Sequence, residues 1–237
     1  MNLVVMQPYL FPYIGYFHLV TAADTFVIYD DVSFIKGGWI HRNRILVSGT
    51  EHLFSVPLKK ASSFVPINET MINIEHFETW RQKFLKTVEQ AYAKAPYFDP
   101  VFQLITNVLA SENLNDIGTM ATASLKEVAS YLNLDINWKQ SSIDFTHNKD
   151  AERTERLISI ANVLGAKTYI NSPGGRSLYK QADFAQHDVS LKFIDSSTVS
   201  YKQFDNDFTP NLSIIDVLMF NSKEETRAHL NKYKLVD

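Results

Sequence analysis

The sequence predicts an α/β fold: a doubly wound, mostly parallel sheet of Rossmann-like type, carrying a β-hairpin and a helical insertion. Three observations predict it. Short apolar runs rich in Val, Ile and aromatic residues alternate with segments of helical spacing near both ends of the chain. The loops that follow those runs carry Pro and Gly. The middle of the chain is helical in pattern, which separates the two alternating halves.

Residues 3–6 form an apolar run closed by Pro8 and Pro12, the pattern of a buried strand entering a stiff loop. Ile14, Phe17 and Leu19 then recur near helical spacing over 13–23, and residues 25–29 are β-branched and aromatic. Strand, loop, helix and strand in that order predict a parallel pair, because the right-handed βαβ crossover is the usual connection. After Asp30 and Asp31 a polar and aromatic loop passes Gly37 and Gly38. It leads to a predicted hairpin, 45–47 with 53–56, turning at Ser48-Gly49-Thr50. Helical patterning covers 77–92, 101–109 and 114–132, with Pro96 and Pro100 as breakers. Alternation returns after Asp135: strand 136–139, helix 151–164 closed by Gly165, strand 168–170, helix 178–186 and strand 189–194. No internal repeat, low-complexity tract or Gly/Ser linker interrupts the chain, so 1–237 is read as a single α/β domain with a helical insertion at 76–132.

Composition narrows the function classes. With 237 residues and 45% hydrophobic content the chain can close one sizeable core. A net charge of −3 supplies no long-range field to gather nucleic acid or an anionic membrane. The absence of cysteine excludes disulfides and thiolate chemistry and suits a reducing interior. The N-terminal residues lack a basic segment before Pro8, against a signal peptide, and no apolar run approaches the roughly 20 residues of a membrane span. The expectation is a cytoplasmic protein without a transmembrane segment; nothing in the sequence specifies an oligomer. Tyr and Phe, 11 and 16 in number, exceed what core filling asks for and point to an aromatic-lined cleft. The seven histidines include no i, i+4 pair and no H-x-H, so no dedicated zinc site is expected. G-x-S-x-G, P-loop and G-x-G-x-x-G signatures are missing, against the standard hydrolase, NTPase and dinucleotide classes.

Three loops carry the candidate chemistry, each at the carboxyl end of a predicted strand, where open α/β sheets bind ligands. In the first, Gln7 stands at the strand tip, Pro8 and Pro12 stiffen the loop, and Gly15 permits close approach at the start of a helix, with Tyr13 and Tyr16 as hydrogen-bond donors. The competing reading makes the prolines a turn and Tyr9, Phe11, Tyr13 and Phe17 core. The second runs from Asp30 to Arg44. One of Asp30 and Asp31 is a candidate general base or Mg²⁺ ligand, or else the pair forms a turn cap. Lys36, Gly37, Gly38 and Trp39 offer a cationic loop with an aromatic plate. Arg42 and Arg44 would share one face of an extended segment, converging on phosphate or carboxylate, with Asn43 on the other. In the third, Asn171, Ser172, Gly174, Gly175 and Arg176 can present backbone N–H groups and a guanidinium to an anion. Ser141 and Ser142 end another strand. Ser213 and Asp216 read as the cap and first turn of a C-terminal helix, and His18 as an isolated histidine on a helix.

The run Gln7-Pro8-Tyr9-Leu10-Phe11-Pro12-Tyr13-Ile14-Gly15-Tyr16-Phe17, followed by Asp30-Asp31 and Trp39-Ile40-His41-Arg42-Asn43-Arg44, resembles the WbqC-like family. Tyr92-Ala93-Lys94-Ala95-Pro96-Tyr97-Phe98, Ser141-Ser142, Leu164-Gly165-Ala166-Lys167-Thr168-Tyr169 and Pro210-Asn211-Leu212-Ser213-Ile214-Ile215-Asp216 extend the resemblance over nearly the whole chain. It implies a place in bacterial O-antigen or related surface-polysaccharide assembly, and a role in transferring an amino acid such as glycine to a sugar amine. Tyr13-Ile14-Gly15-Tyr16 also stands where nucleotidyltransferase-like folds carry H-x-G-H. A tyrosine hydroxyl donates a hydrogen bond but brings no cation, so here the analogy marks a location.

The expectation assembled from these readings is transfer of an acyl or aminoacyl group to a nucleotide-linked amino sugar. Asp30 or Asp31 would deprotonate the acceptor, and Gln7, Tyr13 and Tyr16 would donate to a carbonyl or phosphate. Arg42, Arg44 and Arg176 would hold the anion and Trp39 would stack on the ligand. The ligand is a nucleotide sugar or an amino acid; Mg²⁺ and a nucleotide are the candidate cofactors. The alternatives are a noncatalytic nucleotide-sugar or partner-binding protein of the same pathway, and a nucleotidyltransferase-like enzyme. These roles require Asp30 or Asp31, Arg42 and Arg176 to open onto one cleft.

Overall fold

A computed structural model of the chain describes residues 1–111, 114–205 and 207–237. Strand β1 (Asn2–Met6) sends Val4 into one core and Leu3 and Val5 into the other, as alternation in a strand covered on both faces requires. Helix α1 (Ile14–Ala22) follows, and β2 (Thr25–Ile28), buried throughout, pairs parallel with β1.

The chain then leaves the sheet. β3 (Arg42–Val47) and β4 (Thr50–Ser55) form an antiparallel hairpin longer than its apolar residues predict. Ser48 and Gly49 both have positive φ, 50° and 75°, as a two-residue type I′ turn demands. Helices α2 (Ile74–Tyr92), α3 (Phe98–Leu109) and α4 (Ile117–Tyr131) complete the excursion. Their apolar faces join α1 and one side of the sheet in a single buried cluster that includes Val4, Phe17, Phe84 and Val88.

The alternating half resumes with β5 (Asn137–Gln140), the short α5 (Ser141–Asp144) and α6 (Arg153–Leu164). Gly165 ends α6 in the left-handed conformation, φ 65°, that a helix C-terminus favours. β6 (Thr168–Asn171), α7 (Gln181–Ala185) and β7 (Ser190–Ser196) follow. The helix predicted at 178–186 is shortened. A 3-10 turn, Pro173–Ser177, precedes it, and Leu178 is exposed, so only Phe184 anchors α7 to the core. The chain closes with α8 (Ile214–Phe220), α9 (Lys223–Leu230) and β8 (Tyr233–Val236). β8 lies antiparallel on β7 at the sheet edge, and its lysine hides the strand pattern in the sequence.

The six strands lie in the order β5-β2-β1-β6-β7-β8. The chain builds outward from β1 through β2 to β5, then returns to the other side of β1 with β6. This is the doubly wound plan, with its topological switch between β1 and β6. No helix among the described residues is long and apolar enough to cross a membrane.

Candidate active site

At the switch point, beyond the carboxyl ends of β1 and β6, lies a cleft of about 460 Å³. Met6 and Ser172, at the ends of β1 and β6, line it together with Tyr9, Tyr13 and Tyr16 from the first loop and helix, Trp39, Asn43 and Arg44 from the hairpin and the loop before it, and Asn211. The volume falls in the range of small-molecule sites, and the lining combines aromatic and aliphatic residues with four polar ones, Asn43, Arg44, Ser172 and Asn211, as such sites require.

The loop after β1 is held rigidly. Phe11 has φ 41°, an unfavourable value for a side chain of its size. Three distant residues hold it there: its N–H donates to Ser124 Oγ at 3.0 Å, and its carbonyl accepts from Asn43 Nδ2 at 2.8 Å and Ser213 Oγ at 2.7 Å. The Leu10 N–H donates to the Ile40 carbonyl, and the Ile214 N–H to that of Pro12. Tyr16 is buried and donates its hydroxyl to the Gln7 carbonyl at 2.7 Å, which ties helix to strand end and leaves that proton engaged. Burial raises the Tyr16 hydroxyl well above its ordinary pKa. Tyr13 is half exposed at the N-cap of α1, and burial also raises its pKa. Its ring lies against Gly15: a Cβ on Gly15 would sit 2.3 Å from Tyr13 Cε2. Gly15 therefore makes room for the Tyr13 ring as it lies over the helix start.

β3 alternates as an extended segment should. Asn43 faces inward, while the Arg42 and Arg44 guanidinium groups lie 5.4 and 5.3 Å from the Trp39 ring centre. Only Arg44 of the two lines the cleft. Arg42 donates to the Gly37 and Gly38 carbonyls, which fixes the loop carrying Trp39. Arg44 pairs with Glu51 at 2.6 Å, and its Nε is buried without an acceptor among the described residues. Gln7 lies at the end of β1, and Lys36 is exposed on the loop before Trp39; the side chains of neither line the cleft.

Asp30 and Asp31 do not line the cleft either. Asp30 is buried against the end of β5, where it accepts from Gln140 Nε2 at 2.6 Å, Ser142 Oγ at 2.7 Å and the Ser142 N–H at 3.1 Å, with Ser141 Oγ 3.0 Å away. Asp31 pairs with buried Arg156 at 2.6 Å and accepts from Ser141 Oγ at 2.5 Å. Both carboxylates are turned toward protein donors and away from the cleft, so neither is presented to a Mg²⁺ ion held there. The cause is position: β2 lies one strand away from the switch, beside β5, so its end meets the first turn of α5. Among the described residues no group of three or more His, Asp or Glu is placed to hold a metal ion.

The third loop is divided as well. Ser172 reaches the cleft. Asn171 turns inward to accept from the Ser172 N–H at 2.7 Å and donate to the Tyr169 hydroxyl at 3.2 Å. Gly174 is exposed on the turn, and Arg176 lies over the Phe193 ring at 5.3 Å, outside the cleft lining. Ser213 caps α8 through the Ile215 N–H, as its position predicts. Asp216 goes further than a first-turn acid: it is fully buried and accepts from Tyr201 at 2.6 Å, Tyr92 at 2.7 Å and Gln203 at 2.7 Å. Burial raises its carboxyl pKa despite those donors.

Tyr13, Tyr16, Trp39, Asn43, Arg44 and Ser172 thus share one cleft, while Asp30, Asp31, Arg42, Asn171, Gly174 and Arg176 do not open onto it. Sequence reading missed Asn211, which enters the cleft at φ 58°, and Arg156, the partner of Asp31. Asn211 follows Pro210 ahead of a helix cap, a turn signal that marks the bend but not where it points. Arg156 carries no local signal at all.

A family model described as the WbqC-like protein family matches residues 7–228. The chain is also similar to a protein of Mycobacterium tuberculosis (strain ATCC 25618 / H37Rv) described as uncharacterized protein Rv1507c. The two are 26% identical over 231 residues, which covers 97% of each. No solved structure matches the chain.

Proposed function

The chain belongs to the WbqC-like protein family, and from that premise we propose that it transfers an acyl or aminoacyl group to a nucleotide-linked amino sugar in bacterial surface-polysaccharide assembly. The observation that carries the ligand class is Arg44. Arg44 lines the cleft, and its guanidinium lies 5.3 Å from the Trp39 ring centre. A guanidinium at a cleft wall presents a planar fork of N–H donors that suits a phosphate or carboxylate oxygen. The Arg44–Glu51 pair is partly exposed, worth at most about 1 kcal/mol, and open to exchange for a phosphate. Trp39 and the three tyrosines give a ring system flat surfaces to rest on, and Asn43 is already oriented by Phe11. Asp30 and Asp31 serve in this reading as the clamp that holds β2 to β5 and α6.

Thermal unfolding in the presence of nucleotide-linked amino sugars, free amino sugars and nucleoside diphosphates tests this. Ligand at a hundredfold excess over Kd stabilises by about 2.7 kcal/mol. Nucleotide-linked sugars should raise the midpoint, free sugars should not, and Arg44→Ala should remove the shift. No shift with any nucleotide compound refutes the ligand class. A shift without transfer of an acyl group from any activated donor leaves binding alone and refutes the reaction.

A further inference from the structure

A second chamber of about 330 Å³ lies beside the switch-point cleft, and Tyr13 and Asn211 line both. Its wall contains His18 from α1 and Ser196, Ser197 and Thr198 at the end of β7. His18 Nδ1 lies 2.8 Å from Ser196 Oγ, and His18 Nε2 lies 3.2 Å from the carbonyl oxygen of His229. A carbonyl only accepts, so Nε2 carries the proton. Nδ1 then keeps its lone pair and accepts from the Ser196 hydroxyl. The imidazole has no exposed surface, whereas Ser196 is exposed, so the serine hydroxyl is the accessible member of the pair. Nucleophile, base and a third group that orients the base are the three parts of an activated serine, here with a backbone carbonyl as the orienting acceptor.

We propose that Ser196 is a nucleophile activated by His18, which takes an acyl group from a thioester or acyl phosphate as an ester on its Oγ. Ser196 Oγ attacks the donor carbonyl while His18 Nδ1 accepts its proton; the carbon–sulfur or carbon–oxygen bond to the leaving group breaks, and His18 returns the proton to it. In the second half an amine attacks the ester, the new amide forms, and the proton displaced from nitrogen passes through His18 back to Ser196 Oγ. Burial depresses the His18 pKa, which keeps the ring neutral and able to accept. Tyr13, shared by both chambers, places the ester next to the cleft assigned to the amino sugar. The inference rests on the acyl-transfer reading of that cleft. The sequence around the serine, Ile194-Asp195-Ser196-Ser197-Thr198, matches no nucleophile elbow, and its base lies 178 residues away.

The test uses the full chain with p-nitrophenyl acetate and with a fluorophosphonate, neither of which needs a nucleotide sugar. Peptide mass spectrometry should place both adducts on Ser196. Ser196→Ala removes one exposed hydroxyl and should abolish them, and Ser197→Ala should leave them intact. His18→Gln, checked for folding by its thermal midpoint, should slow labelling by about 10²- to 10⁴-fold. No adduct on Ser196, or an unchanged rate in Ser196→Ala, overturns the proposal. Labelling at Ser196 without any nucleotide-sugar shift refutes the cleft reading and leaves the nucleophile standing.

Discussion

The Ser213 hydroxyl donates to the carbonyl of Phe11 at 2.7 Å, a bond between residues 202 positions apart that joins the start of α8 to the loop after β1. Asn43 makes a second bond to the same oxygen from the hairpin, and Ser124 holds the Phe11 N–H from α4. The strained Phe11 conformation is thus set by three elements, none of them near it in sequence. That arrangement keeps Tyr9, Tyr13 and Pro12 in place along the cleft.

Ser213→Ala should destabilise the protein by about 1–3 kcal/mol, since it removes both the Phe11 bond and the cap on α8. The urea midpoint reads the loss. A midpoint equal to the parent's would mean that the Asn43 and Ser124 bonds hold the loop without Ser213.

Arg156→Met leaves the Asp31 carboxylate buried with only Ser141 as a partner, and should cost about 3–5 kcal/mol. Adding Asp31→Leu should recover much of that loss, because no charge then remains buried. If the double variant is as unstable as the single one, the ion pair is not the source of the loss.

Gly15→Ala puts a methyl where the Tyr13 ring lies, and Tyr13 is exposed enough to swing away. The helix itself gains from alanine, by up to about 1 kcal/mol, so folding should be nearly unchanged while nucleotide-sugar binding shifts. In a Tyr13→Ala background the same change should have no further effect on binding. Additive effects in this double-mutant cycle would show that Gly15 and Tyr13 act separately.

Burial lowers the pKa of His18, of His41 and of His229; Arg42 lowers that of His41 further, and Lys232 that of His229. Below about pH 6.5 the unfolded chain therefore binds protons that the folded chain refuses. Stability is fully present above that value and falls as pH drops through the depressed folded pKa values. Thermal midpoints should decline steadily from pH 7 to pH 5, and His18→Gln should flatten the decline. Asp216 acts oppositely and lower: its raised carboxyl favours folding below about 3.8, an advantage lost as pH rises through its folded pKa. A flat profile between pH 7 and pH 5 would contradict the histidine account.

The fold was legible because its signals are local. The alternation of buried strands and helices in residues 3–29 and 136–194 reports the doubly wound sheet, and the carboxyl ends of β1 and β6 fall at the loops that carry Gln7 to Gly15 and Asn171 to Ser172. The extended reading of Arg42 to Arg44 brings both arginines to Trp39, although Asn43 and Arg44, and not Arg42, line the cleft. What sequence reasoning placed differently were groups whose direction depends on a neighbour. Asp30 and Asp31 follow a strand end as the site residues do, yet that strand lies beside β5, whose following Ser141 and Ser142 donate to their carboxylates. Arg176 sits after a strand at the switch, but its guanidinium finds the Phe193 face instead of the cleft.

By itself the sequence determined the parallel α/β class, the hairpin, the helical excursion and the family, because each depends on periodicity, turn chemistry or a contiguous motif. Tertiary structure alone decided which polar residues face open space. Strand order chose β1 and β6 as the edges of the cleft, long-range hydrogen bonds fixed Phe11 and buried Asp31, and packing of α1 against β7 brought His18 to Ser196. The physical reason is that a side chain's chemistry is written in its own residue, whereas its partners, its burial and its direction are supplied by segments that meet it only after the chain has folded.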